Sequence, residues 1–133
     1  MSYTGPVRRW DMFWANLEPS VGSEQGGRRR PVIVISNNGY NTVFDAITVI
    51  SVTKLEGKAR KAYTFEVILP NKAITPQWAS IVMPQQIRSI SKKRLQERIG
   101  TLDDEFLQRE IENRLLEHLD IASEADDEPS SRG

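Results

Sequence analysis

A glycine- and arginine-rich segment between two predicted strands is the part of the sequence best suited to chemistry. It runs from Gly22 to Pro31 and reads GSEQGGRRRP. Glycines allow a backbone to turn tightly or to approach a ligand closely, and planar guanidinium groups form paired hydrogen bonds with phosphate. The segment is therefore either a phosphate-binding loop or, as the simpler alternative, a flexible loop with a solvated basic tip.

The sequence excludes several other kinds of active site. It has no cysteine and a single histidine, His118, which excludes thiol nucleophiles, zinc–thiolate sites and any mechanism that needs two imidazoles from one chain. The glycines match neither the GxxxxGKS/T nor the GxGxxG nucleotide-binding pattern, and no spacing of His, Asp and Glu predicts a metal site. We therefore expect neither a metal nor a cofactor, and we expect His118 to have a structural role.

The net charge of zero at pH 7 conceals an uneven distribution. Residues 1–98 carry 15 of the 18 lysines and arginines and 7 of the 18 acidic residues, which gives this part a net charge of +8. Residues 99–133 carry the other 3 basic and 11 acidic residues, a net charge of −8. Either the basic part binds an anionic partner, or the two parts neutralise each other within a molecule or across a dimer.

Short apolar runs predict a mainly β domain. The predicted strands are Asp11–Leu17, Pro31–Ser36, Ala46–Val52, Tyr63–Leu69, Ala79–Met83 and Gln86–Ile90. The run PVIVIS indicates a strand that is buried on both faces, and Asn38-Gly39 indicates a turn after it. Ser91 is placed to cap a short basic helix that extends to Arg98.

One amphipathic helix is predicted near the C-terminus. Thr101 and Asp104 resemble a capping box. The apolar stripe that follows has i+4 spacing over about five turns and consists of Leu107, Ile111, Leu115 and Leu119. We expect residues 10–121 to form one small α+β barrel domain, between a loose N-terminal arm at 1–9 and a disordered acidic tail at 122–133.

The sequence also favours a cytoplasmic protein. No run of apolar residues is long enough to cross a membrane, and the N-terminal residues lack the apolar core of a signal peptide. The absence of cysteine agrees with this expectation, because small secreted domains usually carry disulfides.

Several blocks of the sequence, in order between Arg9 and Ile121, resemble the MazF/PemK family of toxin endoribonucleases, also called mRNA interferases. The blocks are RWDMFWANL at 9–17, EPSVGSEQGGRRRPVIVI at 18–35, VISVT at 49–53, QIRSI at 86–90 and LDDE at 102–105. The second block is the most specific of them. Two departures are present: Trp10 stands where the family usually has glycine, and the arginine run before Pro31 is one residue longer than usual.

The resemblance implies both a fold and an activity. The fold is a small SH3-like barrel with a C-terminal amphipathic helix, usually in a homodimer. The activity is metal-independent cleavage of single-stranded RNA at a short sequence, which leaves a 2′,3′-cyclic phosphate and a 5′-hydroxyl. A cognate antitoxin blocks the RNA groove of such toxins with a disordered acidic segment.

The resemblance also assigns the site residues. An arginine and a threonine are the usual catalytic pair, and alignment on Pro31 makes them Arg30 and Thr53, with Arg29 as the other possible arginine. Glu24 would orient Arg30 or accept a proton. Ionised arginine stabilises charge on phosphate strongly, whereas proton transfer is harder to assign to it. The residues expected to bind RNA are Ser23, Gln25, Arg28, Arg29, Lys54, Lys58, Gln86 and Arg88.

Two other functions remain open at this point. A barrel of related fold could poison a protein target such as a topoisomerase without cleaving RNA. The basic part of the chain could also bind nucleic acid through electrostatics alone. The presence of both Arg30 and Thr53 favours the RNA-cleaving toxin over these alternatives.

Overall fold

The computed structural model describes residues 2–55, 61–70 and 79–122. Within these ranges the chain forms six strands and two α-helices. The strands are β1 (Asp11–Ala15), β2 (Arg30–Val34), β3 (Ala46–Lys54), β4 (Val67–Leu69), β5 (Ser80–Ser91) and β6 (Leu95–Thr101). The helices are α1 (Asn38–Val43) and α2 (Glu105–His118), and a single 3-10 turn, Lys92–Arg94, joins β5 to β6.

The strands form one antiparallel sheet in the order β4-β5-β3-β2-β1-β6. The sheet is a half-barrel, and α2 is the main helix added to it. This confirms the predicted α+β, mainly β class with one C-terminal helix. Because β2 and β3 are adjacent, directly opposed residues of the two strands place their side chains on the same face of the sheet.

Apolar side chains are buried on both faces of the sheet. One face carries Phe13, Val32, Val34, Val49 and Ile90, and the other carries Met12, Ile33, Ile50 and Val82 together with Ile111 from α2. Each such side chain stabilises the fold by about 1.5–3 kcal/mol when fully buried. Burial on both faces explains why β2 is apolar at every position after Arg30, as its sequence predicted.

A single long strand, β5, replaces the two strands predicted on either side of Pro84. The register against β3 shifts here: Ile50 faces Ile87, but the next residue, Ser51, faces Met83. The intervening residues of β5 therefore form a bulge. A bulge tolerates proline within a strand because the ladder hydrogen bonds are interrupted there.

The segment from Ser91 to Arg98 is mostly strand rather than the predicted helix. The Ser91 side chain does accept a hydrogen bond from the amide of Lys93, but it caps only the single 3-10 turn. The chain then pairs with β1 from Leu95 onward. Cross-strand pairing thus overrides the helical propensity of the basic run.

The start and the length of α2 also differ from the prediction. Asp104 alone is the N-cap, and its carboxylate accepts from the amides of Phe106 and Leu107. Thr101 instead belongs to β6, where its hydroxyl donates to Asp11 at 2.7 Å. The helix has 14 residues, about four turns, and Leu119 follows it as a C-cap that is 47% exposed.

Other elements are shorter or more ordered than their sequences indicated. Of Tyr63–Leu69, only the last three residues form a strand, after a turn closed by a hydrogen bond from the Glu66 amide to the Tyr63 carbonyl. Asn38-Gly39 opens α1 instead of a simple turn, because Asn37 caps the helix.

The N-terminal arm lies against the sheet. The Tyr3 amide donates to the Leu95 carbonyl at 2.8 Å, the Tyr3 ring packs edge-on against Phe13, and Val7 is buried. Most of the predicted tail, residues 123–133, lies outside the described residues. No helix in the described ranges has the length and apolarity needed to cross a membrane.

Candidate active site

Arg30 and Thr53 meet across the β2–β3 ladder. In this ladder Val32 lies opposite Ser51, so the same register carried two residues further places Arg30 opposite Thr53. Side chains at directly opposed positions share one face of a sheet. The Nη2 atom of Arg30 donates to the Thr53 hydroxyl oxygen at 3.4 Å. The structure therefore brings together the two residues that the sequence predicted as a pair.

An open pocket of about 360 Å³ surrounds this pair. Its lining consists of Trp14, Arg29, Arg30, Pro31, Thr53 and Lys54. Three cationic side chains and one hydroxyl thus converge on a surface whose remaining walls are an indole and a proline ring. Such a set of donors suits a phosphodiester better than a neutral ligand.

The stem of Arg30 packs against a glycine. Gly27 has a φ of +122°, and a Cβ atom there would lie 2.6 Å from both Cγ and Cδ of Arg30. Position 27 therefore needs glycine for its backbone conformation and for the space that Arg30 occupies. The Nε atom of Arg30 is buried, and no described protein atom accepts a hydrogen bond from it.

The other two arginines of the run have different surroundings. The Arg29 guanidinium lies 4.7 Å from the centroid of the Trp14 ring and forms a 2.6 Å ion pair with Glu97. Arg28 is exposed, and its carbonyl accepts from the side chain of Gln96 at 2.8 Å. Of the three, Arg30 is the one whose guanidinium contacts Thr53.

Glu24 lies at the tip of the loop, where its carboxylate accepts from the amide of Val21 at 2.6 Å. It is exposed and does not line the pocket around Arg30. The expected contact between Glu24 and Arg30 is therefore not formed in this structure. The hydrogen bond to Val21 gives Glu24 a role in shaping the turn.

The side chain of Gln86, on β5, forms hydrogen bonds with the middle of the loop. Its Oε1 accepts from the amide of Gln25 at 3.0 Å, and its Nε2 donates to the carbonyl of Ser23 at 3.2 Å. Because both the oxygen and the nitrogen of the Gln86 side-chain amide form hydrogen bonds with the backbone, Gln86 fixes the loop segment that carries the Ser23 and Gln25 side chains. These three predicted RNA-binding residues thus form one structural unit.

The remaining predicted RNA-binding residues are distributed unevenly. Lys54 is exposed at the end of β3 and lines the pocket. Arg88 lies opposite Val49, on the face of the sheet that Arg30 shares, and its Nη1 is buried without an acceptor among the described atoms. Lys58 lies outside the described residues.

Sequence reasoning missed Glu18, which supports the loop of the site without lining the pocket. Its carboxylate bonds to both ends of the loop, with the Ser20 amide donating at 3.1 Å and the Gly27 amide at 2.6 Å. Its position directly before Pro19 was visible in the sequence. Its hydrogen-bond partner Gly27, nine residues further along the chain, could not be predicted, because no local sequence pattern indicates such a contact.

The arrangement can stabilise negative charge. Across residues 2–55, 61–70 and 79–122, no three His, Cys, Asp or Glu side chains are grouped to hold a metal ion. His118 is exposed in the last turn of α2. What the pocket offers is a guanidinium, a hydroxyl and further cations at preset positions, a combination that stabilises a charged transition state.

The comparisons with known proteins agree with this geometry. Residues 8–119 match the model of a family described as PemK-like, MazF-like toxin of type II toxin-antitoxin system. Endoribonuclease EndoA of Bacillus subtilis is 38% identical over 103 residues, which cover 77% of this chain and 86% of that protein.

Solved structures show the same fold. MazF from Deinococcus radiodurans has a TM-score of 0.73 and 28% identity, and the match covers 89% of this chain and all of that one. A chain in a MazE-MazF structure from the same organism has a TM-score of 0.67 at 22% identity, with 90% of this chain and all of that one covered.

Proposed function

We propose a function for this chain, which belongs to the PemK-like, MazF-like toxins of type II toxin-antitoxin systems. It is an endoribonuclease that cleaves single-stranded RNA at a short sequence without a metal. The observation that carries the proposal is the contact between Arg30 and Thr53 in a pocket lined by further cations. Its relative from Bacillus subtilis is itself named an endoribonuclease.

The proposed reaction uses the RNA's own 2′-hydroxyl as the nucleophile. The 2′-oxygen bonds to phosphorus, and the bond from phosphorus to the 5′-oxygen of the next nucleotide breaks. The products are a 2′,3′-cyclic phosphate and a 5′-hydroxyl. The proton lost by the 2′-hydroxyl is balanced by the proton gained by the 5′-oxygen, so the reaction consumes no net proton.

Arg30 and Thr53 act on the charge that accumulates at the phosphate. As the 2′-oxygen adds, negative charge grows on the non-bridging oxygens. The Arg30 guanidinium contacts one of them, and the Thr53 hydroxyl donates a hydrogen bond beside it. Donors fixed in position before the reaction stabilise the transition state without having to reorganise.

RNA binding beyond the scissile phosphate is assigned to the loop and to the cations around the pocket. Arg29 and Lys54 flank Arg30 in the lining of the pocket and would contact neighbouring phosphates. Ser23 and Gln25, held by Gln86, are placed on one loop segment whose side chains can read base edges that single-stranded RNA leaves exposed.

The proposed partners are a cognate acidic antitoxin and a second copy of the toxin. A flexible acidic segment can cover a groove that binds a flexible polyanion, and many contacts then offset the loss of its conformational entropy. The antitoxin should therefore compete with RNA. We also propose a homodimer and a cytoplasmic location, and sedimentation of the purified toxin tests the dimer directly.

Incubation of the purified protein with a long RNA in EDTA tests the proposed function. Discrete fragments with 2′,3′-cyclic phosphate and 5′-hydroxyl ends are the expected result. RNA that stays intact but is retained by the protein would identify a simple nucleic-acid-binding module. Intact, unbound RNA combined with inhibition of a topoisomerase would identify a toxin of the non-catalytic kind.

A further inference from the structure

We infer that Glu18 is a positioning residue for Arg30. Its carboxylate closes the loop between the end of β1 and the start of β2, and so fixes the backbone at Gly27, against which the Arg30 side chain lies. The inference rests on the proposed cleavage of RNA, because it assigns Glu18 a part in the same reaction without contact with the substrate.

The Glu18 carboxylate bonds to both ends of the loop. Oε1 accepts from the amide of Ser20 at 3.1 Å and from its hydroxyl at 3.2 Å, while Oε2 accepts from the amide of Gly27 at 2.6 Å. Hydrogen bonds to an ionised acceptor are about twice as strong as neutral ones. One partly buried carboxylate therefore ties the first residues of the loop to its last residues.

Backbone contacts complete this closure. The Leu17 amide donates to the Gly27 carbonyl at 2.8 Å. Arg94, from the turn before β6, donates through Nη1 to the Glu18 carbonyl at 2.6 Å and to the Asn16 carbonyl at 3.1 Å. The loop is thus joined at its base from three directions. Among the described residues, the Glu18 side chain is the group that accepts a hydrogen bond from the Gly27 amide.

Gly27 transmits this constraint to Arg30. With its φ of +122° and with the Arg30 stem lying where a Cβ would be, Gly27 forms one wall of the space that holds the arginine. A shift of the Gly27 peptide would let that stem move and would carry the guanidinium away from Thr53. A misplacement of about 1 Å at a reacting centre can slow a reaction by about 100-fold.

Glu18→Gln is the sharpest test, because it preserves size and removes the charge. The glutamine keeps one acceptor oxygen but presents an NH₂ group where its second oxygen stood. Either the Ser20 amide or the Gly27 amide would then face a donor instead of an acceptor. Glu117→Gln is the matched control, since Glu117 is an exposed carboxylate on α2 that pairs with Arg114.

Three measurements on each protein distinguish positioning from general support of the fold. They are the single-turnover rate of cleavage at saturating protein, the affinity for an RNA with a 2′-O-methyl group at the cleavage site, and the thermal midpoint. A fourth measurement is the ¹⁵N–¹H signal of the Arg30 Nε, which is assigned with Arg30→Lys.

For Glu18→Gln we expect the rate to fall by about 100-fold and the Arg30 Nε signal to move, while the RNA affinity stays within about threefold and the fold remains intact. Glu18→Asp, which keeps the charge on a shorter side chain, should be intermediate in rate. It also serves as the test variant if Glu18→Gln does not fold. Glu117→Gln should match the wild type in every measurement.

Two results would overturn the inference. One is a Glu18→Gln rate within threefold of the wild type. The other is a parallel loss of rate, RNA affinity and thermal midpoint, which would assign Glu18 to the fold alone. If the wild type cleaves no RNA, the proposed function fails. The Arg30 Nε signal then tests the positioning of Arg30 by Glu18 separately. A signal that moves in Glu18→Gln supports this positioning, and an unchanged signal refutes it.

Discussion

The guanidinium of Arg29 lies over the ring of Trp14, 4.7 Å from its centroid, while the adjacent Arg30 contacts Thr53 on the next strand. Neighbouring arginines in one run thus have separate tasks. Arg29 is engaged by an aromatic face and by the carboxylate of Glu97. This difference in contacts favours the proposal that Arg30, rather than Arg29, is the catalytic arginine.

Replacement of Arg30 should abolish cleavage, and replacement of Arg29 should only weaken it. In Arg30→Ala the charge at the phosphate loses its principal donor, and Arg30→Lys should also be impaired because an ammonium does not reproduce the planar guanidinium. Arg29→Ala is the matched control and should retain most of the single-turnover rate. A folded Arg30→Ala protein with near-native activity, alongside an inactive Arg29→Ala protein, would reverse the assignment.

Thr53→Ala should reduce turnover more than RNA affinity. If its hydroxyl acts mainly in the transition state, its loss raises the barrier by about 2.7–4 kcal/mol, or about 100- to 1,000-fold in rate. Thr53→Ser should recover part of that loss because it restores the hydroxyl. Thr42→Ala removes an exposed hydroxyl on α1 and serves as the control. A Thr53→Ala enzyme within twofold of the wild type would limit this hydroxyl to a structural role.

RNA binding should weaken steeply with salt. Each phosphate neutralised on a single strand adds about 0.7 to the slope of log affinity against log salt. Because Lys54 lines the pocket, Lys54→Gln should lower the slope by about one such increment. Arg109→Gln, on the exposed side of α2, should leave it unchanged. Binding of a 2′-O-methyl RNA over a salt series measures the slopes of both variants and of the wild type. A wild-type slope near zero would contradict RNA binding at this basic pocket.

Trp10 should tolerate glycine better than alanine. Its φ is +76°, a conformation that costs a non-glycine residue about 1–2 kcal/mol, yet its side chain is buried against Met12, Leu102 and Ile111. Trp10→Ala loses the buried ring and keeps the strain, so it should destabilise by about 3–5 kcal/mol. Trp10→Gly should be about 1 kcal/mol more stable than Trp10→Ala in urea unfolding, and the opposite order would contradict the strain.

The elements with long apolar runs were predictable from the sequence, and those set by distant partners were not. The runs of β2 and β3 and the stripe of α2 each identify a buried surface without knowledge of the rest of the chain. Pro84 led to the prediction of two strands in place of β5, because the bulge that accommodates this proline forms against Ile50 and Ser51 on another strand. Strand β6 exists because β1 pairs with it.

The candidate site shows the same division. Arg30 and Thr53 were predictable as a pair because each follows from a recognisable block of sequence. Glu24 and Glu18 were not distinguishable in advance, since both are acids in one loop. Only the folded loop shows that Glu24 bonds to a residue three positions away, whereas Glu18 bonds across the loop to Gly27.

The contact between Arg29 and Trp14 gives the pocket an optical signal of its own. Indole fluorescence responds to nearby charge and to water, and Trp14 forms part of the pocket wall that a phosphate would approach. Trp10 is buried in the cluster that includes Met12 and Ile33 and supplies a steady background emission. The third tryptophan, Trp78, lies outside the described residues, so a Trp78→Phe protein removes its contribution. Arrival of RNA at this site is therefore measurable in rapid-mixing experiments on the unlabelled protein, with no dye attached to either molecule.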